Sequence, residues 1–244
     1  MKIKHIFLFF LLALIGACSD NSKKDYDLII RNGLVFDGSG NAPISSDIAI
    51  NGSFIALIGD LSNSTAEKEI NAEGMAVAPG FINVLSWATQ PLIIDGRAMS
   101  DIKQGVTLEI MGEGRSMGPL NESMKIREKN RQSNIKYDIE WTTLGEYLDF
   151  IVEQGVSVNV ASYVGATTIR VHELGYEDRA PTSDELERMK QLVRNAMREG
   201  ALGVGSSLIY TPANFAETDE LIALVSAAAE YNGRYISHLR SEAN

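Results

Sequence analysis

The sequence predicts an α/β fold in which a small β-sandwich unit precedes a partial (β/α)8 TIM-like barrel. Residues 26–78 contain short apolar runs separated by turn signals and show little helical periodicity. From residue 79 onward, near-continuous apolar strands alternate with helices, which is typical of a parallel sheet covered by helices. No glycine-rich phosphate loop follows these strands, so a barrel is favoured over a dinucleotide-binding fold.

The composition excludes several classes of protein. The 244 residues include 22 Lys and Arg against 32 Asp and Glu, and the net charge of −10 argues against nucleic acid as a partner. The 45% of hydrophobic residues is ordinary for a globular chain. A single Cys excludes an intrachain disulfide and a Cys-rich zinc module. With only His5, His172 and His238 available, a metal site would need carboxylates as well.

The N-terminus has the pattern of a cleaved targeting segment. Two lysines precede the apolar run Ile6–Ile15, which is too short for a membrane span of roughly 20 residues. The run ends in Leu14-Ile15-Gly16-Ala17-Cys18, which resembles the lipobox of bacterial lipoproteins. We therefore expect residues 1–17 to be a signal peptide and residues 18–25 a lipidated tether. The protein would lie in the bacterial cell envelope, facing the periplasm or the surface, with its lipid anchor as the membrane contact. The alternative is a plain secretory signal with an incidental Cys.

The elements of the β unit, residues 26–78, follow from turn chemistry. Asn32-Gly33 predicts a turn, and Asn51-Gly52 between two apolar runs predicts a hairpin. The predicted strands are Tyr26–Ile30, Leu34–Phe36, Asp47–Ile50 and Phe54–Ile58.

The second part, residues 79–244, is predicted to hold the first five strands of the barrel. These are Val77–Val84, Gly105–Met111, Val156–Val164, Ala201–Gly205 and Arg234–His238. The clearest helix starts are two capping boxes and one acidic first turn: Thr143 with Glu146, Thr182 with Glu185, and Asp219 with Glu220. Five strands do not close an eight-stranded barrel, so we expect an N-terminal portion of a longer protein. A natural half-barrel is the alternative, although it would leave an open apolar edge.

Five segments occur in the order that one enzyme family shows. They are Asp27–Gly40, Ala78–Asn83, Gly105–Thr107, Gly200–Gly203 and Ser237–Glu242. Together they resemble the amidohydrolase superfamily, and within it the branch of D-aminoacylases, also called N-acyl-D-amino-acid deacylases. The resemblance implies a metal-dependent hydrolase with zinc as the expected cofactor.

Two departures from the family pattern affect the metal site. Leu85 and Trp87 occupy the positions of the family's His-x-His motif and cannot bind a metal. The family's strand-two loop often carries a Cys ligand, whereas the matching loop here contains Gly112-Glu113-Gly114. Glu113 lies one position before the expected Cys.

His238 and Glu113 are the candidate metal ligands, because each follows a predicted strand at the end where barrel active sites lie. The resemblance implies a further His after strand six and a catalytic Asp after strand eight, both beyond residue 244. Alternatives remain open: His238 as a core histidine, and Glu113 as a solvated carboxylate or a partner of Arg115.

The resemblance implies hydrolysis of N-acyl-D-amino acids or related amides by a metal-activated water. Arg240 is the first candidate for the substrate α-carboxylate and Arg115 the second, because guanidinium pairs with carboxylate in bidentate fashion. Tyr210 is expected to line the pocket. Glu109 is expected to be a buried member of an ion pair, and His172 to lie in a loop. The competing function is a catalytically inactive lipoprotein of the same fold that binds a ligand or a partner.

Overall fold

The computed structural model describes residues 24–241, which form two compact units. The first unit ends at Pro79 and the second begins at Gly80. The predicted signal peptide, the lipidation site Cys18 and most of the predicted tether lie outside the described residues. Across residues 24–241, we find no helix with both the length and the apolar character that crossing a membrane requires.

The first unit is a five-stranded sheet around a small apolar core. Its strands are β1 (Tyr26–Val35), β2 (Ile44–Asn51), β3 (Phe54–Gly59), β4 (Ala66–Asn71) and β5 (Ala76–Val77). The order is β3-β2-β1-β4, and β5 also pairs with β1. The β1–β2 and β2–β3 pairs are antiparallel, whereas β4 and β5 run parallel to β1.

One of the two predicted turns of this unit is confirmed and the other is wrong. Asn51 pairs with Phe54 across the hairpin, and Gly52 has a positive φ of 56°. At Asn32, however, β1 continues through a bulge between Ile30 and Gly33. The Asn32 N–H donates to Asp47 Oδ1 over 2.8 Å, so the bulged residue is held against β2 and does not end the strand.

The second unit contains six parallel strand segments. They are β6 (Phe81–Asn83), β7 (Val106–Met111), β8 (Asn159–Ser162), β9 (Val164–Gly165), β10 (Gly203–Ser207) and β11 (Arg234–His238). One sheet has the order β6-β7-β8 and the other β9-β10-β11. Within each sheet, strands that follow one another in the chain lie side by side. Only Tyr163 separates β8, the last strand of the first sheet, from β9, the first strand of the second. Parallel neighbours in chain order are the arrangement that consecutive βα units produce.

The predicted strand Val77–Val84 is wrong as a single element. Val77 belongs to β5 in the first unit, and β6 starts only at Phe81. Pro79 cannot donate to a sheet, and a Cβ at Gly80 would lie 2.1 Å from Thr107 Oγ1. This Pro-Gly pair therefore interrupts the strand at the junction between the two units.

Seven helices are found among the described residues. They are α1 (Thr89–Ile94), α2 (Met99–Ile102), α3 (Glu122–Arg131), α4 (Leu144–Gln154), α5 (Ala166–Leu174), α6 (Ser183–Arg198) and α7 (Thr218–Ala229). Both predicted capping boxes are confirmed, at the starts of α4 and α6. His172 is not in a loop as predicted, because it lies in the last turn of α5.

A large apolar cluster joins the helices to the strands in the second unit. Its fully buried members include Trp141, Tyr147, Ile169, Met189 and Leu224. The guanidinium of Arg170 is buried beside this cluster and donates to Glu220 Oε2 over 2.5 Å. The same guanidinium donates to the carbonyls of Glu177 and Arg179. The pair therefore joins α5, α7 and the connection before α6.

Candidate active site

Glycines determine the course of the loop that follows β7. Gly112 and Gly114 have φ values of +96° and +76°, where side chains are disfavoured. A Cβ at Gly112 would lie 2.0 Å from the carbonyl oxygen of Tyr163, and one at Gly114 would lie 2.6 Å from Ser207 Cβ. The Gly114 carbonyl accepts from the Thr167 N–H over 2.9 Å. The loop therefore lies closely over the ends of β9 and β10, with Glu113 between the two glycines.

The structure brings the two predicted metal ligands together. His238 is the last residue of β11, and its Nδ1 lies 3.7 Å from Glu113 Oε1. Both side chains are largely shielded, with exposed fractions of 26% for His238 and 10% for Glu113. The ring of Tyr210 lies beside the imidazole, with 5.6 Å between the ring centroids. Glu113, which follows β7, and Tyr210, which follows β10, thus meet His238 at the carboxyl ends of the strands, where barrel chemistry is placed.

The pair fits part of a metal site. Imidazole nitrogen and carboxylate oxygen each bind zinc at about 2 Å, so two ligands of one ion lie roughly 3 to 4 Å apart. The observed 3.7 Å between Glu113 and His238 is in that range. A catalytic zinc takes three protein ligands. Residues 24–241 contain no group of three or more His, Cys, Asp or Glu with metal-binding geometry, so within this part of the chain the pair does not by itself make up a catalytic zinc site.

A cavity of about 500 Å³ opens next to the pair. Glu113, Arg115 and Tyr210 line it, and so does Trp87, whose side chain is 60% exposed. Trp87 and Leu85 follow β6 and provide no ligand atoms. Trp87 is therefore a wall of the cavity at a position where the family resemblance implies a histidine.

The two candidate arginines differ in their surroundings. Arg115 lines the cavity, and its Nη2 lies 3.4 Å from the Tyr176 hydroxyl. No ion pair joins Arg115 to Glu113 in the part of the chain that is described. Arg240 instead donates to the main-chain carbonyls of Asn214 and Ala216, so its guanidinium is held by the backbone. A role in substrate binding stays a prediction for both.

Glu109 is buried as predicted, but it is not in an ion pair within the described residues. Its side chain lies in β7, and Oε2 accepts from Asn83 Nδ2 over 2.9 Å. Only 1% of Glu109 is exposed, and its Oε1 has no hydrogen-bond partner among residues 24–241. Burial raises the pKa of the Glu109 carboxyl, and the nearby Asp101 adds to this effect.

Sequence reasoning missed the contribution of α3. Met124, Arg127, Glu128 and Arg131 all line a second cavity beside the first. Their spacing of i, i+3, i+4 and i+7 is that of one helix face, and this spacing is the signal that could have located them. The sparse apolar content of α3, which has no buried residue, hid the helix from a search for apolar periodicity.

The chain is homologous to D-aminoacylases and N-acyl-D-amino-acid deacylases over about nine tenths of its length. D-aminoacylase of Alcaligenes xylosoxydans xylosoxydans is 30% identical over 228 residues, which are 92% of this chain and 46% of that protein. N-acyl-D-aspartate deacylase of the same organism is 31% identical over 234 residues, which are 92% of this chain and 45% of the relative. No protein-family model matches the sequence.

Solved structures give the same relationship. The crystal structure of D-aminoacylase, described as defining a subset of amidohydrolases, matches with a TM-score of 0.79 and 30% identity over 89% of this chain and 46% of that one. N-acyl-D-glutamate deacylase from Bordetella bronchiseptica, complexed with zinc and a phosphonate inhibitor, matches with a TM-score of 0.78 and 27% identity, over 91% of this chain and 46% of that one. This chain thus has a mixed α/β fold similar to that of D-aminoacylase, and it spans about half the length of the relatives that it matches.

Proposed function

We propose that this chain is part of a metal-dependent amide hydrolase that deacylates N-acyl-D-amino acids or related amides. The observation that carries the proposal is the Glu113–His238 pair, 3.7 Å apart at the strand ends and beside a cavity. Homology to amidohydrolases that act on such amides gives the pair its chemical context.

The proposed architecture is a β-sandwich portion in residues 26–78 followed by the first five strands of an eight-stranded barrel in residues 79–244. Support comes from parallel strands that are neighbours in chain order and from apolar side chains on the first and last of them. Phe81 is 63% exposed on β6, and Tyr235 is 40% exposed on β11. In this proposal the 244 residues are the N-terminal portion of a longer protein, and further strands of the same barrel cover these side chains.

Glu113 and His238 would hold one divalent metal, with zinc expected, in a site that lacks the His-x-His ligands. When bound, such an ion polarises an amide carbonyl and lowers the pKa of a bound water to about 7. The remaining ligand and the catalytic Asp that accepts the water proton are expected beyond residue 244.

The residues of this chain would bind and orient the substrate. Gly112 packs closely against Tyr163 and Gly114 against Ser207, and these contacts fix the main chain at Glu113. The Glu113 carboxylate is therefore held beside the His238 imidazole. Tyr210 packs beside the His238 ring and limits its rotation. Arg115, with its guanidinium on the cavity wall, is the better placed of the two candidates for the substrate α-carboxylate, and Arg240 is the second.

We further propose that the mature protein begins at Cys18 and is held on the bacterial cell envelope by lipid on that residue. The lipobox-like segment before Cys18 supports this. Metabolic labelling with a radioactive fatty acid, in wild type and in Cys18→Ser, tests it. Label in the wild type that is lost in Cys18→Ser is the expected result, and an unlabelled wild type contradicts it.

The test of the proposed function is hydrolysis by the complete protein. N-acetyl-D-amino acids and their L-enantiomers are supplied in parallel, and released amine is measured. We expect release from D-substrates in the wild type and none in His238→Ala. An intact, folded protein with no turnover of any N-acyl amino acid would favour the second candidate, an inactive ligand-binding lipoprotein, which the loss of both His-x-His positions suggests.

A further inference from the structure

A second cavity of about 470 Å³ extends from the candidate active site toward α3. Six residues line both cavities, so the two are continuous: Trp87, Gln90, Arg115, Glu128, Arg131 and Thr167. The second cavity adds apolar walls from Met117, Leu120 and Met124. A ligand anchored at the Glu113–His238 pair can therefore extend along these shared walls toward α3.

One face of α3 supplies the charged wall of this cavity. Arg127 and Arg131 are four residues apart, so their side chains are neighbours on the helix. The opposite side of α3 is held by Lys125, whose Nζ donates to Thr142 Oγ1, and by Lys129, which pairs with Asp138 over 2.6 Å. The contacts of Lys125 and Lys129 thus hold the helix on the side away from the cavity, and the guanidiniums of Arg127 and Arg131 lie on the cavity side.

These two guanidiniums have no carboxylate counter-ion among the residues that the structure describes. Within residues 24–241, neither Arg127 nor Arg131 forms an ion pair, and like charges at this spacing destabilise a helix. Glu128 is spaced to pair with Arg131, but it accepts a hydrogen bond from Gln90 over 3.1 Å instead.

Tyr176 connects a third positive group, the Arg115 guanidinium, to the same place. The Arg127 guanidinium lies over its ring at 4.0 Å from the centroid, and Arg115 Nη2 lies 3.4 Å from its hydroxyl. Tyr176 therefore contacts two arginines, and the guanidiniums on this cavity wall could bind an anion.

We propose that Arg127 and Arg131 form a subsite for a second carboxylate of the substrate, beyond the α-carboxylate that Arg115 would bind. The apolar walls would take the methylene groups that join this carboxylate to the amide. The substrate class is an N-acyl amino acid with an additional carboxylate, either on its side chain or at the end of a dicarboxylic acyl group. The inference rests on the proposed function for the position of the amide.

Matched substrates distinguish the two sources of the carboxylate. N-acetyl-D-glutamate is compared with N-acetyl-D-glutamine, and N-succinyl-D-alanine with N-butanoyl-D-alanine, using the complete protein. In one of the pairs, we expect kcat/KM to be higher for the charged member by about tenfold or more, as expected for charge-assisted hydrogen bonds. The pair that shows the preference identifies which part of the substrate enters the subsite.

Charge-matched variants test the residues. Arg131→Gln and Arg127→Gln are expected to reduce the preference by about tenfold. Lys129→Gln removes the same charge from the other side of α3 and is expected to leave the preference unchanged. Equal kcat/KM within both substrate pairs, or a preference that survives both arginine variants, would overturn the subsite.

A binding measurement separates this proposal from the proposed function. Calorimetry with glutarate, at low salt, is expected to show binding that weakens by about tenfold in Arg131→Gln and not in Lys129→Gln. If no amide is hydrolysed but this binding pattern is found, the proposed function fails and the anion subsite stands. If N-acetyl-D-amino acids are hydrolysed without charge preference and glutarate does not bind, the function stands and the subsite fails.

Discussion

At the scale of single residues, the glycines on either side of Glu113 determine the site more than Glu113 itself does. They allow the loop to approach within contact distance of Tyr163 and Ser207, and that approach brings the carboxylate to His238. The position at which the family resemblance implies a Cys ligand is Gly114. A side chain there would need both a positive φ and space that Ser207 occupies.

The substitution Gly114→Ala is expected to destabilise the complete protein by about 1 to 3 kcal/mol. The new Cβ would clash with Ser207, and alanine disfavours the positive φ at this position. Gly155→Ala is the matched control, since Gly155 also has a positive φ of 91° but no atom within 4 Å of its Cβ position. Chemical denaturation measures both. Equal destabilisation by the two variants would show that the contact with Ser207 contributes nothing.

Burial of Glu109 is expected to make the free energy of unfolding depend on pH. Its pKa is raised from an ordinary 4.5 by burial, so the folded state favours the protonated form. The contribution of the protonated Glu109 carboxyl to the free energy of unfolding is complete at pH values below the ordinary pKa. It is lost as the pH rises through the raised pKa of the folded state. The variant Glu109→Gln cannot ionise, so it should show a smaller fall in unfolding free energy as the pH rises above the ordinary pKa of 4.5. Glu153→Gln, at an exposed position of α4, is the control; if it flattens the pH profile as much as Glu109→Gln does, burial of Glu109 is not the cause.

At the scale of elements, the buried Arg170–Glu220 pair holds α5 and α7 together. Removing one partner of a buried pair leaves a charge without compensation, so Arg170→Met is expected to cost about 3 to 5 kcal/mol. Arg194→Met removes a guanidinium that pairs with Glu230 on the surface and is expected to cost about 1 kcal/mol or less. Thermal and chemical unfolding measure both. A cost for Arg170→Met no larger than that for Arg194→Met would contradict the role of the pair.

Elements were predictable where local chemistry defines them. The capping boxes of α4 and α6 and the hairpin at Asn51-Gly52 depend on hydrogen bonds and φ values within a few residues, so the sequence is sufficient. The bulge at Asn32 depends on Asp47, which is distant in sequence, and the same Asn-Gly pair there forms no turn. Helix α5 is buried along most of its length and lacks an amphipathic pattern, and α3 lacks an apolar stripe.

In the candidate site, the positions of the two candidate ligands were predictable from the sequence, whereas the walls of the cavity were not. Glu113 and His238 follow strand ends, and parallel strands bring such positions together. The cavity walls depend on how α3 folds back beside Trp87, and no local pattern specifies that. Glu109 shows the same limit: its position in an apolar strand predicts burial, while its hydrogen-bond partner Asn83 comes from the neighbouring strand.

At the scale of the whole molecule, large apolar side chains remain exposed in both units. They include Phe54 and Ile55 on β3 in the first unit, and Phe81 and Ile82 on β6 in the second. Exposed apolar surface of this kind promotes association. We therefore expect residues 18–244, expressed alone, to be poorly soluble and to bind a hydrophobic dye. A soluble monomer with one sharp cooperative thermal transition would contradict this expectation.

The central claim is that Glu113 and His238 hold a metal ion. The most direct test is the metal content of the complete mature protein, purified without chelator, for wild type, His238→Ala and His172→Ala. His172 is the control, because its ring lies on α5 beside Glu173 and away from the cavity. The account predicts about one zinc per chain in the wild type and in His172→Ala, and loss of the metal in His238→Ala. A wild-type protein without metal, or a His238→Ala variant that keeps it, would contradict the site described above.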